Sequence, residues 1–253
     1  MMKAGGLMSV FLTLAYLFFI GSLFGWVLEL IYRRFFSLAN PEHKWINPGF
    51  CVGPYVPLYG SGLCILYLLA ALGSSTGWEN SLAGRVLLFV GMAVSMTAIE
   101  YIAGVGLLKI AKVRLWDYSM LWGNIDGLIC PLFSFFWAVL GALYYFLIHP
   151  HILEALQWLA NNLAFSFVIG YFFGVFTIDL AYSIHLIARL KKFAEDEQVV
   201  VKYESFKAHL HAERERAKLA QRFFFPLATA RPLAEHLKEA HEAIESLRDR
   251  HRG

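Results

Sequence analysis

Long apolar stretches separated by short polar segments dominate the first 190 residues of the chain. Five of these stretches reach the length of about 20 residues that a helix needs to cross roughly 30 Å of hydrocarbon. We place the five predicted spans near residues 7–32, 55–72, 85–108, 128–148 and 163–188. The pattern therefore predicts an all-α integral membrane protein with about five transmembrane helices.

Composition and charge divide the chain in two. Hydrophobic residues make up 58% of the chain, which is more than soluble domains contain. Acidic and basic residues balance over the first 188 residues, so the net charge of +3 comes from the remainder. We therefore predict a transmembrane core over residues 1–190 and a cytoplasmic tail over residues 191–253. The small, interspersed charge excludes nucleic acid as a partner, since that role needs a dense basic face.

The tail shows two apolar stripes at helical spacing, one over residues 203–224 and one over residues 233–247. Pro226 and Pro232 separate the stripes and would interrupt a helix. The tail is thus predicted to be helical and amphipathic, and it could dock on the core, the membrane or another chain.

The basic residues in the connections between predicted spans indicate how the protein is oriented in the membrane. They cluster in alternate connections: Arg33, Arg34 and Lys44; Lys109, Lys112 and Arg114; Arg189, Lys191 and Lys192. Because cytoplasmic loops carry the excess of Lys and Arg, the amino terminus is predicted outside and the tail inside. The segment 149–162 is then external, short and amphipathic, and is predicted to lie along the interface. Its His149-Pro-His151 sequence is more typical of a helix-ending turn than of a metal site, so no metal ligand is assigned.

The first four predicted spans form two helical hairpins with the same arrangement of residues. This similarity suggests a parallel internal repeat followed by a fifth helix. Glu29 stands sixteen residues before Trp45, and Glu100 stands sixteen before Trp116. Each Trp opens a polar, glycine-containing loop, and the next helix has proline in its first turns. Hairpins of the same orientation would bring both loops to the same membrane face.

Acidic residues inside predicted spans are costly unless they are paired or face water. Glu29 lies four residues before Arg33 and could make an ordinary ion pair on one helix. Glu100 lies nine residues before Lys109, or about 13 Å inside the boundary at 1.5 Å per residue. Asp179 is at similar depth and is either part of a site or a hydrogen-bonding link between helices.

The two polar loops supply further candidates for ligand binding. Glycine and proline are too frequent in residues 47–60 for regular structure before about Tyr55. The helices that follow both loops start on the predicted cytoplasmic side, and helix N-termini attract anions. A tight structural re-entry explains the first loop equally well, and Asp126 is expected to cap the fourth span. The candidates from the loops are Asn47, Gly53, Pro54, Tyr59, Trp116, Asp117, Tyr118 and Asn124.

Three sequence strings resemble a known family: GFCVGPYVPLYGSG, IEYIAGVGLLKIAKVRLWDYS and NIDGLIC. They are similar to the signature of the CmpB-type family of type IV ABC-transporter components, over roughly residues 25–141. The resemblance departs at Cys51, where leucine is usual, and at Asp126. It implies a transport component, expected in a bacterial plasma membrane, and these signature positions: Glu29, Gly53, Pro54, Pro57, Tyr59, Gly60, Glu100, Trp116, Asp117, Tyr118, Ser119, Asn124 and Gly127.

Three functions are compatible with these features. The preferred one is a permease-like or solute-binding protein with a cytoplasm-facing polar cavity for a polar or anionic solute. The alternatives are a membrane-embedded enzyme acting on a lipid head group, with Glu100 or Asp117 as base or metal ligand, and a structural or regulatory subunit. The chain contains no GxxxxGK[ST] motif, so ATP hydrolysis would need a partner ATPase. Membrane lipids and further copies of the chain are other expected partners; no cofactor is assigned.

Overall fold

The computed structural model describes residues 4–37, 40–196, 199–203, 205–207, 209 and 235–242. The helices are α1 (Ala4–Phe35), α2 (Pro57–Thr76), α3 (Leu82–Ala111), α4 (Pro131–Leu143), α5 (His149–Asn161) and α6 (Ser166–Asp196). The two short strands are β1 (Val113–Arg114) and β2 (Val201–Lys202). Single turns of 3₁₀ helix occupy Trp78–Asn80 and Leu163–Phe165, and a π turn occupies Tyr144–Ile148.

Five helical segments in the described part of the chain are long and apolar enough to cross a membrane. They are Val10–Phe35, Pro57–Thr76, Leu82–Ala111, Pro131–Asn161 and Leu163–Asp196. The second and fourth begin with proline, which fits the first turn because its missing N–H has no intrahelical acceptor there. The predicted all-α membrane fold is confirmed.

The fourth segment differs from the sequence interpretation. The chain does not leave the helical conformation at His149-Pro-His151, where we expected a helix-ending turn; α5 starts there instead. Pro150 has no N–H to donate and lies in the first turn of α5, directly after the π turn. A local change of helical pitch therefore accommodates this proline without ending the helix.

The chain forms two compact units. The first unit comprises Met1–Gly25, Tyr55–Ala103 and Tyr118–Thr177. Its core includes Leu17, Leu66, Met92, Met96, Trp137 and Tyr144. The start of α2 lies directly against α1, because a Cβ added at Gly60 would overlap Ser22 Oγ and the carbonyl oxygen of Phe18. A side chain at Gly25 would likewise overlap Tyr59, so glycine is needed where these two helices cross.

The second unit comprises Trp26–Pro54, Gly104–Asp117 and Ile178–Gly253. Its core includes Val113, Leu186, Leu190, Val201, Tyr203 and Phe206. Strands β1 and β2 pair in parallel, with Val113 opposite Val201 and Arg114 opposite Lys202. The pairing attaches the segment after α6 to the segment after α3.

Part of the predicted tail helices is described. Residues 203, 205–207, 209 and 235–242 are helical, and Leu237 and Ala240 are buried in the core of the second unit. The other positions of both apolar stripes, and Pro226 and Pro232 between them, lie outside the described residues. The boundary near residue 190, the repeat of two hairpins and the interfacial position of residues 149–162 stay predictions.

Candidate functional site

Glu100 is the most deeply buried acidic residue of the described first unit, with 3% of its surface exposed. It projects from the part of α3 that belongs to this unit. The Trp137 indole Nε1 of α4 donates to Glu100 Oε2 at 2.8 Å. The Tyr118 hydroxyl donates to Glu100 Oε1 at 3.0 Å. The predicted candidates Glu100 and Tyr118 thus meet, and Trp137 joins them.

The two donors around Glu100 are chemically different. An indole N–H can only donate, so the bond from Trp137 requires an acceptor oxygen at Oε2. A phenol hydroxyl can donate or accept, so the bond between Tyr118 and Oε1 is compatible with either protonation state of the carboxyl group.

Tyr59 supports this arrangement from the first turn of α2. Its ring lies 5.3 Å from that of Trp137, tilted by 54°. On the other side of the carboxylate, the Tyr118 ring stacks on Phe133 with centroids 4.2 Å apart. The sequence did not point to Trp137, because Trp137 lies on a different helix from Glu100 and no local spacing connects the two residues.

The loop between Tyr118 and α4 is closed by hydrogen bonds, and Asn124 is at its centre. Asn124 Nδ2 donates to the Leu121 carbonyl oxygen at 2.8 Å, and Asn124 Oδ1 accepts from Gly127 N at 3.0 Å. Backbone N–H of Tyr118 donates to the carbonyl oxygen of Gly127 at 2.8 Å. These bonds give Asn124 a loop-forming role.

The expected cap at Asp126 is wrong. Cys130 occupies the N-cap position of α4 and makes no side-chain cap bond. Asp126 instead accepts from the Tyr101 hydroxyl at 2.8 Å. Its φ of 54° and that of Gly127, 64°, place two consecutive residues in the left-handed region, which turns the chain before α4 can begin.

Asn47 organises the first loop within the second unit. Only 2% of its surface is exposed. Its Oδ1 accepts from the Trp26 indole at 2.6 Å, and its Nδ2 donates to the carbonyl oxygens of Val52 at 2.8 Å and Cys51 at 3.2 Å. The side chain therefore bridges the loop internally and fastens it to α1.

Asp179 of α6 holds the other end of the same loop. Its two carboxylate oxygens accept from the backbone N–H groups of Val52 at 3.0 Å and Gly53 at 2.7 Å. The Ser183 hydroxyl donates to Oδ1 at 3.0 Å. Two adjacent backbone amides thus donate to one carboxylate of the chain itself.

Lys207 is the residue of this unit that sequence reasoning missed. It is 1% exposed, and its Nζ donates to the carbonyl oxygens of Asn47 at 2.8 Å and Gly49 at 3.0 Å. Nζ also lies 4.9 Å from the centroid of the Tyr203 ring. One signal was available, because Lys207 follows Tyr203 by four residues and so lies on the apolar face of the predicted tail helix.

The thiol of Cys51 lies inside the same loop. Burial, followed by the negative charge of Asp179, raises the pKa of the Cys51 thiol to about 12. The thiol is therefore neutral and unreactive at physiological pH while the loop keeps this conformation.

The other candidates of the second unit make ion pairs or pack on its core. Glu29 pairs with Arg33 at 2.9 Å, as the structural alternative predicted. Asp117 pairs with Arg114 at 3.1 Å and with Lys202 at 2.7 Å. Trp116 packs against the core of this unit. Pro54 is exposed at the end of the loop.

Each unit contains one grouping of the candidates. In the first unit Glu100 accepts from Tyr118 and Trp137, and Tyr59 packs on Trp137. Asn47, Gly53 and Asp179 meet through the first loop in the second unit. A single polar cavity lined by all of them stays a prediction.

Comparison with known proteins identifies the family. A family profile described as "Putative ABC-transporter type IV" matches residues 16–184, which include Glu100 with its partners Tyr118 and Trp137, the loop from Asn47 to Gly53, and Asp179. No match was found among curated proteins or among solved structures. The matched segment covers more than half of the chain, and the protein belongs to this CmpB-type ABC-transporter family of membrane proteins.

Proposed function

We propose that this protein is a permease-type component of a membrane transport system and that it binds a polar solute at Glu100. The observation that carries the proposal is the buried carboxyl group of Glu100. Glu100 belongs to a membrane-spanning helix, and its carboxyl group accepts hydrogen bonds from Trp137 and Tyr118. A carboxyl group at such depth costs several kcal/mol in the absence of partners, so it is retained for a purpose in most membrane proteins.

The geometry favours a solute that presents a hydrogen-bond donor. Trp137 occupies Oε2 and can only donate, so it fixes the orientation of the carboxyl group. Tyr118 occupies Oε1 from a loop, and a hydroxyl, amide or ammonium group of a solute can take its place there. Tyr118 then acts as an exchangeable partner that satisfies the carboxyl group when no solute is bound.

An anionic solute has weaker support. The amides of Val52 and Gly53 are two adjacent donors shortly before α2, but they already donate to Asp179. A free anion would have to displace a carboxylate that is covalently part of the chain, which gives the internal group a large advantage in effective concentration.

The proposed transport role includes a partner. The chain has no P-loop motif, so energy from ATP would come from a separate ATPase that acts on the cytoplasmic side. The distribution of cations supports an orientation with the amino terminus outside and the tail in the cytoplasm of a bacterial cell.

The test compares small molecules that copurify with wild-type protein and with the Glu100→Gln variant, identified by mass spectrometry. Gln keeps the shape and one acceptor oxygen but replaces the other oxygen with an amide NH₂ group, which can only donate. Glu154→Gln is the matched control, because Glu154 is exposed on α5 in the same unit. We expect a polar solute that is present in wild type and the control and reduced at least about tenfold in Glu100→Gln, as loss of a buried hydrogen-bond acceptor predicts.

The same experiment separates the alternatives. Chemical turnover of the copurified molecule on incubation would favour the enzyme that acts on a lipid head group. An identical profile in all three proteins would contradict solute binding at Glu100 and would favour the structural or regulatory subunit.

A further inference from the structure

The carbonyl oxygens of Asn47 and Gly49 converge on one buried point in the second unit. Lys207 Nζ lies at this point, 2.8 Å and 3.0 Å from the two oxygens, and the Tyr203 ring is 4.9 Å away. Carbonyl oxygens and an aromatic face are both attractive to a cation. The Lys207 side chain reaches them with 1% of its surface exposed, so water does not share the group.

The loop between Asn47 and Gly53 has opposite polarity at its two ends. Its carbonyl oxygens at Asn47 and Gly49 accept from Lys207, whereas its amides at Val52 and Gly53 donate to Asp179. Each end of the loop thus meets a side chain of complementary charge. Both ends depend on this conformation, because a loop that rearranged would leave polar groups buried and unsatisfied.

We propose that the carbonyl oxygens of Asn47 and Gly49, together with the Tyr203 ring, form a binding site for a primary ammonium group, which Lys207 fills as a ligand tethered to the tail. The site has the chemistry that an ammonium group requires: acceptors for its N–H donors, a π face and exclusion of water. A free alkylammonium ion occupies the same site when the lysine side chain is shortened.

This site also connects the tail to the loop. Lys207 and Tyr203 belong to the segment after β2, and β2 is paired with β1. Withdrawal of Lys207 removes two donors from the loop and frees it to move. Cys51 lies in that loop, 4% exposed, so its reactivity reports whether the loop keeps its conformation.

The experiment measures alkylation of Cys51 by N-ethylmaleimide in purified full-length protein, resolved by peptide mass spectrometry. In Lys207→Ala we expect alkylation of Cys51 to be about tenfold faster or more than in wild type, the size expected for loss of buried charge-assisted hydrogen bonds. Propylammonium has the atoms that Lys207→Ala deletes, and excess propylammonium chloride slows the alkylation of Cys51 again. Tetramethylammonium chloride, which has the charge but no N–H donor, does not.

Two internal controls isolate the site. Lys202→Ala removes a neighbouring tail lysine that pairs with Asp117 at the surface, and it leaves Cys51 protected. Cys130 is buried in the first unit, so its continued protection in Lys207→Ala shows that the protein has not unfolded. If Cys130 also reacts, Lys207→Met, which keeps the apolar stem, replaces Lys207→Ala in the comparison of Cys51 rates.

The proposal is overturned if Cys51 reacts as slowly in these Lys207 variants as in wild type. It is also overturned if propylammonium restores protection no better than tetramethylammonium in a folded Lys207→Ala protein. Neither result bears on Glu100, because the copurified solute is measured separately and in proteins with Lys207 intact.

Discussion

Three buried or partly buried charged residues, Glu100, Asp179 and Lys207, are the unusual feature of this protein at the scale of single residues. Glu100 is matched by an indole and a phenol, Asp179 by two amides and a hydroxyl, and Lys207 by two carbonyl oxygens. A buried charge is tolerated when hydrogen bonds replace its water. The partners of each residue are therefore as important for the stability of the protein as the buried residue itself.

The two donors to Glu100 have different expected effects on stability. Trp137→Phe removes an indole donor to Oε2 and also leaves a small cavity, so we expect a loss of about 2–4 kcal/mol in the free energy of unfolding. Tyr118→Phe removes one hydroxyl donor to Oε1 and keeps the ring, so a smaller loss of about 1 kcal/mol is expected. Denaturant unfolding in detergent, monitored by circular dichroism, measures both.

Binding of the copurified solute provides the second measurement on these variants. Tyr118→Phe removes the competitor at Oε1 and should retain or increase the bound solute, whereas Glu100→Gln loses it. Equal destabilisation by Tyr118→Phe and Trp137→Phe, with loss of solute in both, would contradict the assignment of Tyr118 as the exchangeable partner.

At the scale of elements, side-chain hydrogen bonds organise two of the described loops. Asn124 and Asn47 each organise a loop through bonds from their own side chains. Among the aromatic residues of the second loop, Trp122 is 87% exposed. Tyr118 is partly buried and contacts Glu100 and Phe133.

Close helix contact is the element-level feature most open to test. Gly60→Ala places a methyl group against Ser22 Oγ and the Phe18 carbonyl oxygen, so we expect a loss of about 1–3 kcal/mol in stability. Gly91→Ala in α3 is the control, because a Cβ there meets nothing within 4 Å. Since alanine is the better helix former, Gly91→Ala should be neutral or stabilising. A comparison of thermal unfolding midpoints would contradict the packing argument if the two variants behaved alike.

At the scale of the whole molecule, the chain combines five membrane-spanning segments with a tail that returns to the loops of the second unit. The β1–β2 pair, the Asp117–Lys202 ion pair and Lys207 all attach residues beyond α6 to earlier loops. The described residues beyond α6 thus include members of the second unit's core: Val201, Tyr203, Phe206, Leu237 and Ala240.

Topology is the prediction at this scale. The positive-inside rule places the tail in the cytoplasm, so an epitope added after Gly253 should be protected from protease in right-side-out membrane vesicles and cleaved in inverted ones. An epitope before Met1 should give the opposite result. Cleavage of both epitopes from the same side would contradict an odd number of spans.

The sequence by itself determined the number of spans and the helical class, because length and apolarity decide whether a helix crosses a membrane. It also determined the family, through the sequence strings that match the family profile. It also singled out Glu100 and Asp179, since a carboxylate within an apolar run is visible without coordinates. The Glu29–Arg33 pair was predictable for the same kind of reason, as its four-residue spacing is local.

Only the tertiary structure decided which groups satisfy these residues. Trp137 is 37 residues from Glu100, Gly53 is 126 from Asp179, and Lys207 is 160 from Asn47. No local spacing encodes such pairs, because hydrogen bonds between distant segments depend on how the helices pack. For the same reason Asp126, whose residue type and position favoured a helix cap, accepts from Tyr101 instead. The backbone carbonyl oxygens that bind Lys207 had no signature in the sequence at all.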